Sequence, residues 1–135
     1  YWLHYRVLDD WGVTKLAEYE RKESIEEMEH ADKLAARILF LNGLPNFQAI
    51  HNLRVGETVL EILKADMALE EDAIPLLRDA VEYSASVKDY VSHDLFKYIL
   101  DNEEEHVDFL DPLFDMSERR GLENYVLLLS IAAGE

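Results

Sequence analysis

Two glutamate–histidine pairs, Glu27/His30 and Glu103/His106, carry the residue types and spacing in this chain best suited to chemistry. Residues three apart in a helix share one face, a turn apart, so each pair offers a carboxylate and an imidazole in the same direction. Those donors suit hard or borderline divalent metals. The spacing alone is a weak signal where 29 of 135 residues are acidic. Helical stripes discriminate better. A stripe through Ala31, Leu34, Ile38 and Leu41 runs back onto Glu27. A second, through Phe96, Ile99, Val107 and Leu110, contains Glu103, and a third, through Leu63, Ala73, Ile74 and Leu77, contains Glu70. Three carboxylates are thus expected in a core, where an uncompensated charge is costly. No Lys or Arg shares these stripes near the acids. The set Glu27, His30, Glu70, Glu103 and His106 therefore predicts a metal site, with iron or manganese the best fit.

The other acids and histidines read differently. Glu26, Glu29, Glu104 and Glu105 fall on solvated faces, and His4, His51 and His93 read as surface or ordinary core histidines. Met28 shares a second apolar stripe with Ile25, Ala35 and Leu39. An outward apolar stripe marks a subunit contact, so Met28 reads first as interface packing, with an axial haem thioether as the alternative.

The elements that must hold these residues are helices almost throughout, with no strand-like alternation. A first helix is expected to about Trp11, its beginning missing from the chain, which opens without Met or a helix-start signal. A second is expected from about Lys15 to Leu41 with Thr14 as N-cap, stopped by Gly43 and Pro45. A third is expected from about Glu57 to Tyr83, a fourth from about Val87 to Arg120, and a short tail helix from Leu122 to about Ala132. Pro75 and Pro112 should kink their helices. Long helices with one long connection after the second make an all-α, ferritin-like four-helix bundle with a short fifth C-terminal helix, a single domain over residues 1–135. In such bundles two helices each give a lone Glu and two give Glu-x-x-His. Glu70 is one lone Glu, and the other should lie upstream on the first helix.

Composition sets the outer bounds. A formal charge of −16 opposes nucleic-acid binding. The absence of cysteine removes disulfides and thiolate metal sites. The longest strongly apolar run, Tyr125 to Ala133, is far short of the ~20 residues of a membrane span. A cytoplasmic protein is the expectation.

The stretches YWLHYRVLDDWG, ESIEEMEHADKLAARILFLNGLPN, MALEEDA, RDAVEYSASVKDYVSHDLFKYIL, EEEHVDFL and GLENY resemble the bacterioferritin family over essentially the whole chain. That resemblance implies a homo-oligomeric cage of 24 subunits, each with a di-iron ferroxidase centre, storing ferric mineral. It implies that Glu27 and Glu103 bridge two irons, that His30 binds one, and that Glu70 with His106 binds the other. The remaining ligand, a first-helix glutamate, would lie about two turns upstream of Tyr1. Tyr1 matches a tyrosine that handles oxidising equivalents. Met28 from two subunits would ligate haem b, with Ile25 and Trp2 lining the pocket. A ferredoxin-type electron donor is an implied partner. Lys22 stands where some members place a histidine for an auxiliary cavity site, and Phe109 where Trp is common. Two other readings are a haem-binding cage subunit with an inactive metal site and a rubrerythrin-like di-iron peroxidase. The missing cysteines disfavour the latter.

Overall fold

The computed structural model describes residues 1–130, and these form five helices with no strand among them. They are α1 (Trp2–Asp10), α2 (Thr14–Phe40), α3 (Val59–Ser86), α4 (Tyr90–Arg120) and α5 (Leu122–Ser130). The expected tail helix beyond residue 130 lies outside the described residues. None of the helices among the described residues is long and apolar enough to cross a membrane.

Local chemistry sets the ends. At the close of α2, just before the expected stop at Gly43, Asn42 takes the left-handed backbone (φ 64). Gly43 N–H then reaches Ile38 O at 2.8 Å and Asn42 N–H reaches Leu39 O at 3.1 Å, satisfying two orphan carbonyls. The same pairing recurs after α3, with Lys88 (φ 62) bonding Ala85 O and Asp89 bonding Ser84 O. This device lets α3 run to Ser86, three residues beyond the expected Tyr83, and delays α4 to Tyr90. The Thr58 side chain caps α3 at Glu61 N–H, and Asp89 caps α4 at Ser92 N–H. Thr14 is not the cap of α2: Val13 holds that place, and the Thr14 hydroxyl donates to Gly12 O. Both α3 and α4 continue past their prolines.

Contacts between helices fix their directions. Arg37 near the end of α2 donates to Asp89 at 2.8 Å and to Ser92 at 2.9 Å at the start of α4, while Glu23 near the start of α2 meets His106. These two helices are antiparallel. Tyr1 meets Glu70 and His4 meets Asp66, so α1 runs against α3. Helices α2 and α3 therefore run the same way, which the long connection from Leu41 to Thr58 makes possible. This is the ferritin-like bundle with its crossover between the second and third helices.

The apolar core gathers Leu8, Val13, Leu16, Ala17, Val59, Ile62, Leu63, Leu110 and Leu113 at one end. Toward the other end, Ala31, Ile38 and Leu41 are exposed, contrary to the core stripe drawn through them. Among the described residues α1, nine residues and about 13 Å long, lies beside the first turns of α2.

Gly56 is where the crossover returns to the bundle. Its N–H donates to His4 Nε2 at 3.0 Å, and a Cβ there would stand 2.3 Å from Ile62 N. That clash is with backbone, so Gly56→Ala should destabilise by about 1–3 kcal/mol. The thermal unfolding midpoint should fall by several degrees; an unchanged midpoint would show that the segment relaxes freely.

Candidate metal centre

Three helices bring acids inward by one rule. On α2 the face that buries Leu16 continues through Glu20, Glu23 and Glu27 at spacings of four, three and four. On α3 the face of Ile62 continues through Asp66 and Glu70, and on α4 that of Leu110 continues through His106 and Glu103. Each helix leaves the apolar layer and presents polar ligands a turn or two later.

Tyr1, Glu27, His30, Glu70, Glu103 and His106 come together. Ligand atoms of Glu27, Glu70, Glu103 and His106 lie within 4.8 Å of one another. His106 Nδ1 is 3.3 Å from Glu70, 3.7 Å from Glu103 and 3.8 Å from Glu27. His30 Nδ1 is 3.3 Å from Glu103 and 3.7 Å from Glu27. Tyr1 donates its hydroxyl to Glu70. Glu70, Glu103 and both histidines are buried, and Glu27 is half-buried.

The electrostatics show a site short of positive charge. Burial pushes Glu103 up to about 10, assisted by Glu70 and Glu27. Burial also raises Glu27. Burial raises Glu70 too, but hydrogen bonds from His106, Glu103 and Tyr1 outweigh it and hold the group below its ordinary value. Burial would lower His106, yet Glu23 and Glu70 beside the ring raise it to about 11. Burial and the Glu70 carboxylate drive the Tyr1 phenol far above its ordinary value, so it remains a neutral donor. Glu27 Oε1, Glu70 Oε2, Glu103 Oε1 and His30 Nδ1 are buried without a hydrogen-bond partner. These unsatisfied atoms are donors to a divalent metal of the hard or borderline kind, so the residue set fits one.

Three residues that the sequence reading passed over complete the surroundings. Glu23 is buried and pairs with His106 Nε2. Glu26, expected on a solvated face, is half-buried and lies 3.3 Å from the same nitrogen. It was misplaced because its position borders the inward face of α2, where His106 reaches across. With one proton held on Nε2 by these carboxylates, loss of the other would turn the Nδ1 lone pair toward Glu27, Glu70 and Glu103. Asn102 Nδ2 lies 2.9 Å from His30 Nε2 and as an amide nitrogen donates to it, orienting the ring; only the flipped amide, its oxygen toward Nε2, would fix His30 in the same sense as His106. Glu23 stands three residues after Glu20 and four before Glu27, so the stripe argument carried one turn further back finds it. Asn102, polar but uncharged, gave no such signal.

The remaining candidates stand apart. Met28 is 68% exposed, Trp2 63% and Ile25 45%, all on the outer surface. Lys22 and His51 are exposed, and His93 bonds Asp94 at 3.0 Å. His4 is a core histidine: Gly56 N–H can only donate to its Nε2, so its Nδ1–H donates to Asp66 at 2.9 Å. Glu29, Glu104 and Glu105 are exposed, as expected. Phe109 stacks on Tyr19 with ring centres 3.6 Å apart.

A family model described as Ferritin-like domain matches residues 1–119. Bacterioferritin of Rhodobacter capsulatus is 48% identical over 128 residues, covering 95% of this chain and 80% of that protein. Bacterioferritin of Brucella melitensis is 48% identical over 135 residues, covering 100% of this chain and 84% of that protein. Bacterioferritin of Mycobacterium avium is 39% identical over 125 residues, covering 93% and 79%.

The site's charge makes a prediction for the metal-free protein. Glu103, at about 10, lies above its ordinary 4.5, and His106, at about 11, lies above 6.5. Both hold protons more tightly when folded, so their stabilisation is complete below the ordinary values and lost as pH rises through the folded ones. Glu70, held below 4.5, acts oppositely and only in acid. The thermal midpoint of metal-free protein should therefore fall between about pH 7 and about pH 10. A midpoint that rises over that range would overturn the burial of these groups.

Proposed function

The chain belongs to the bacterioferritin family of ferritin-like proteins, and from that premise we propose that it stores iron, oxidising Fe(II) to Fe(III) at the Glu27–His30–Glu70–Glu103–His106 cluster. The observation that carries this reading is how the carboxylates divide between the histidines. Glu27 and Glu103 each lie within 4 Å of both rings, at 3.7 and 3.8 Å for Glu27 and 3.3 and 3.7 Å for Glu103. Glu70 lies near His106 alone, at 3.3 Å. That pattern suits two ions side by side, bridged by Glu27 and Glu103, with His30 on one and Glu70 and His106 on the other.

Two Fe(II) ions bound there as substrate supply two electrons, enough to reduce O₂ with two protons to hydrogen peroxide, or peroxide with two protons to water. The protein's part is placement and proton handling. Glu103, pushed up to about 10, holds a proton at neutral pH until a cation displaces it. Glu23 keeps the His106 proton on Nε2, away from the ligand side. Tyr1 holds one Glu70 oxygen by a hydrogen bond and leaves the other without a partner. Tyr1, hydrogen-bonded to Glu70 and with its ring centre 6.1 Å from that of His106, is our candidate for handling oxidising equivalents.

The outward side of α2 supports the rest of the reading. Met28 and Ile25, three apart and exposed, form an apolar patch on the outer surface. Met28 from two copies would ligate haem b across a two-fold axis, with Ile25 and Trp2 as the lining, within a 24-subunit cytoplasmic cage. When bound, haem would carry electrons from a ferredoxin-type donor toward stored ferric iron.

Anaerobic loading with Fe(II) followed by air tests the centre. Glu103→Ala should slow the ferric absorbance rise by at least about 10–100-fold, the loss typical of a residue that merely supports a ligand. An unchanged rate would sink the assignment. Met28→Ala should abolish the bis-thioether haem spectrum while the oxidation rate persists; a retained spectrum would move the haem elsewhere.

A further inference from the structure

A second buried polar cluster lies one turn away from the first, on three of the same helices. His4 is one turn after Tyr1 on α1, Glu20 is one turn before Glu23 on α2, and Asp66 is one turn before Glu70 on α3. It sits between the metal centre and the apolar layer of Leu8, Leu16, Ile62 and Leu63. His4 is 3% exposed, Glu20 0% and Asp66 2%. Ligand atoms of the three lie within 4.8 Å of one another.

The hydrogen bonds define what is left over. His4 is satisfied at both nitrogens, donating to Asp66 Oδ1 and accepting from Gly56. It cannot give Nδ1 to a metal without losing a proton that Nε2 has no room for. Glu20 Oε1, Glu20 Oε2 and Asp66 Oδ2, in contrast, have no partner. Neither carboxylate meets a Lys or Arg among the described residues. Two acids therefore face each other in the core with three free oxygens and a histidine that steadies one of them. Left so, burial and Asp66 push Glu20 up to about 11.

The geometry points to a further cation site here, in which Glu20 and Asp66 bind a hard divalent ion through oxygen alone and His4 acts as the positioning residue for Asp66. Hard divalent ions take oxygens at about 2.0–2.6 Å, so ligands on opposite sides of one ion stand roughly 4–5 Å apart. The cluster's ligand atoms, all within 4.8 Å of one another, fall inside that limit. Two carboxylates match a charge of two, and such an ion would tie α1, α2 and α3 together below the Fe(II) centre.

Manganese(II) is the probe, read by anomalous diffraction on crystals of the full-length assembled protein near neutral pH. An anomalous peak is expected between Glu20 and Asp66, in addition to any at the Glu27–Glu103 cluster. Glu103→Ala should weaken the latter peaks and leave this one. Glu20→Gln, which keeps the shape and removes the charge, should abolish this peak alone and lower Mn(II) bound in equilibrium dialysis by one ion per chain. A wild-type map with the main centre filled and nothing between Glu20 and Asp66 would overturn the site and assign the pair a shared proton instead. A full-height peak surviving Glu20→Gln would overturn it as well. The wild-type measurement stands even if the variant does not fold.

Discussion

The structure is organised around carboxylates buried with too little positive charge to balance them. Glu20, Glu23, Asp66, Glu70 and Glu103 are each at most 3% exposed, and none pairs with a Lys or Arg among the described residues. A buried charge without a partner costs several kcal/mol, so such groups are protonated, paired or metal-bound. Here the available partners are three histidines and one tyrosine. Protons fill part of the deficit, as the upward shifts of Glu20 and Glu103 record. A proton quiets only one oxygen, however, and leaves the other lone pairs unsatisfied. Divalent cations answer both needs at once. For this reason the residues that leave the empty bundle short of positive charge have the chemistry to suit a divalent cation.

The bundle converts that deficit into a layered order. Because the helical repeat brings positions three and four apart onto one face, each helix contributes to successive layers in step. Leu8, Leu16, Ile62 and Leu110 make an apolar layer that anchors the register. His4, Glu20 and Asp66 follow, then Tyr1, Glu23, Glu27, Glu70, Glu103 and His106, and finally His30 with Asn102. The apolar layer lies at the end where α1 and α2 turn, so the polar layers hang from a well-packed base. Arg37 with Asp89 and Ser92 ties α2 to α4 at the far end. The acids are thereby held between two fixed points, which limits how far they can move apart to relieve repulsion.

Much of this was legible in the residues. Helix-period stripes are strong where apolar side chains alternate with charge, and they carried Glu27, Glu70 and Glu103 inward. The stripes were not followed back to Glu20, Glu23 and Asp66, which have no histidine three residues on to draw the eye. Their histidines come from other helices: His106 across to Glu23 and His4 across to Asp66. Cross-helix partners depend on relative axial shift, which periodicity within one helix does not contain. The turn residues at two helix ends were not legible for a related reason. Asn42 and Lys88 take the left-handed backbone although Gly43 was available beside one of them. The choice is set by which carbonyl the turn must reach, and that is a matter of geometry. The exposed Ala31, Ile38 and Leu41 show the converse error, since a stripe tells which face is apolar without telling what covers it.

One helix segment links the inward and outward halves of the molecule. Glu27 and Met28 are neighbours on α2, about 100° apart around its axis. The first faces α3 and α4, and the second stands 68% exposed. Rotation or sliding of α2 to improve one contact would displace the other, because the backbone between them is a single rigid turn. His30, one turn on, is gripped by Glu103 and Asn102 and so fixes that rotation from the inside. Whatever covers Met28 and Ile25 must fix it from the outside. A cation held between Glu27 and His30 would add to the inner constraint on that turn, and the outer face would feel it only through the stiffness of the helix.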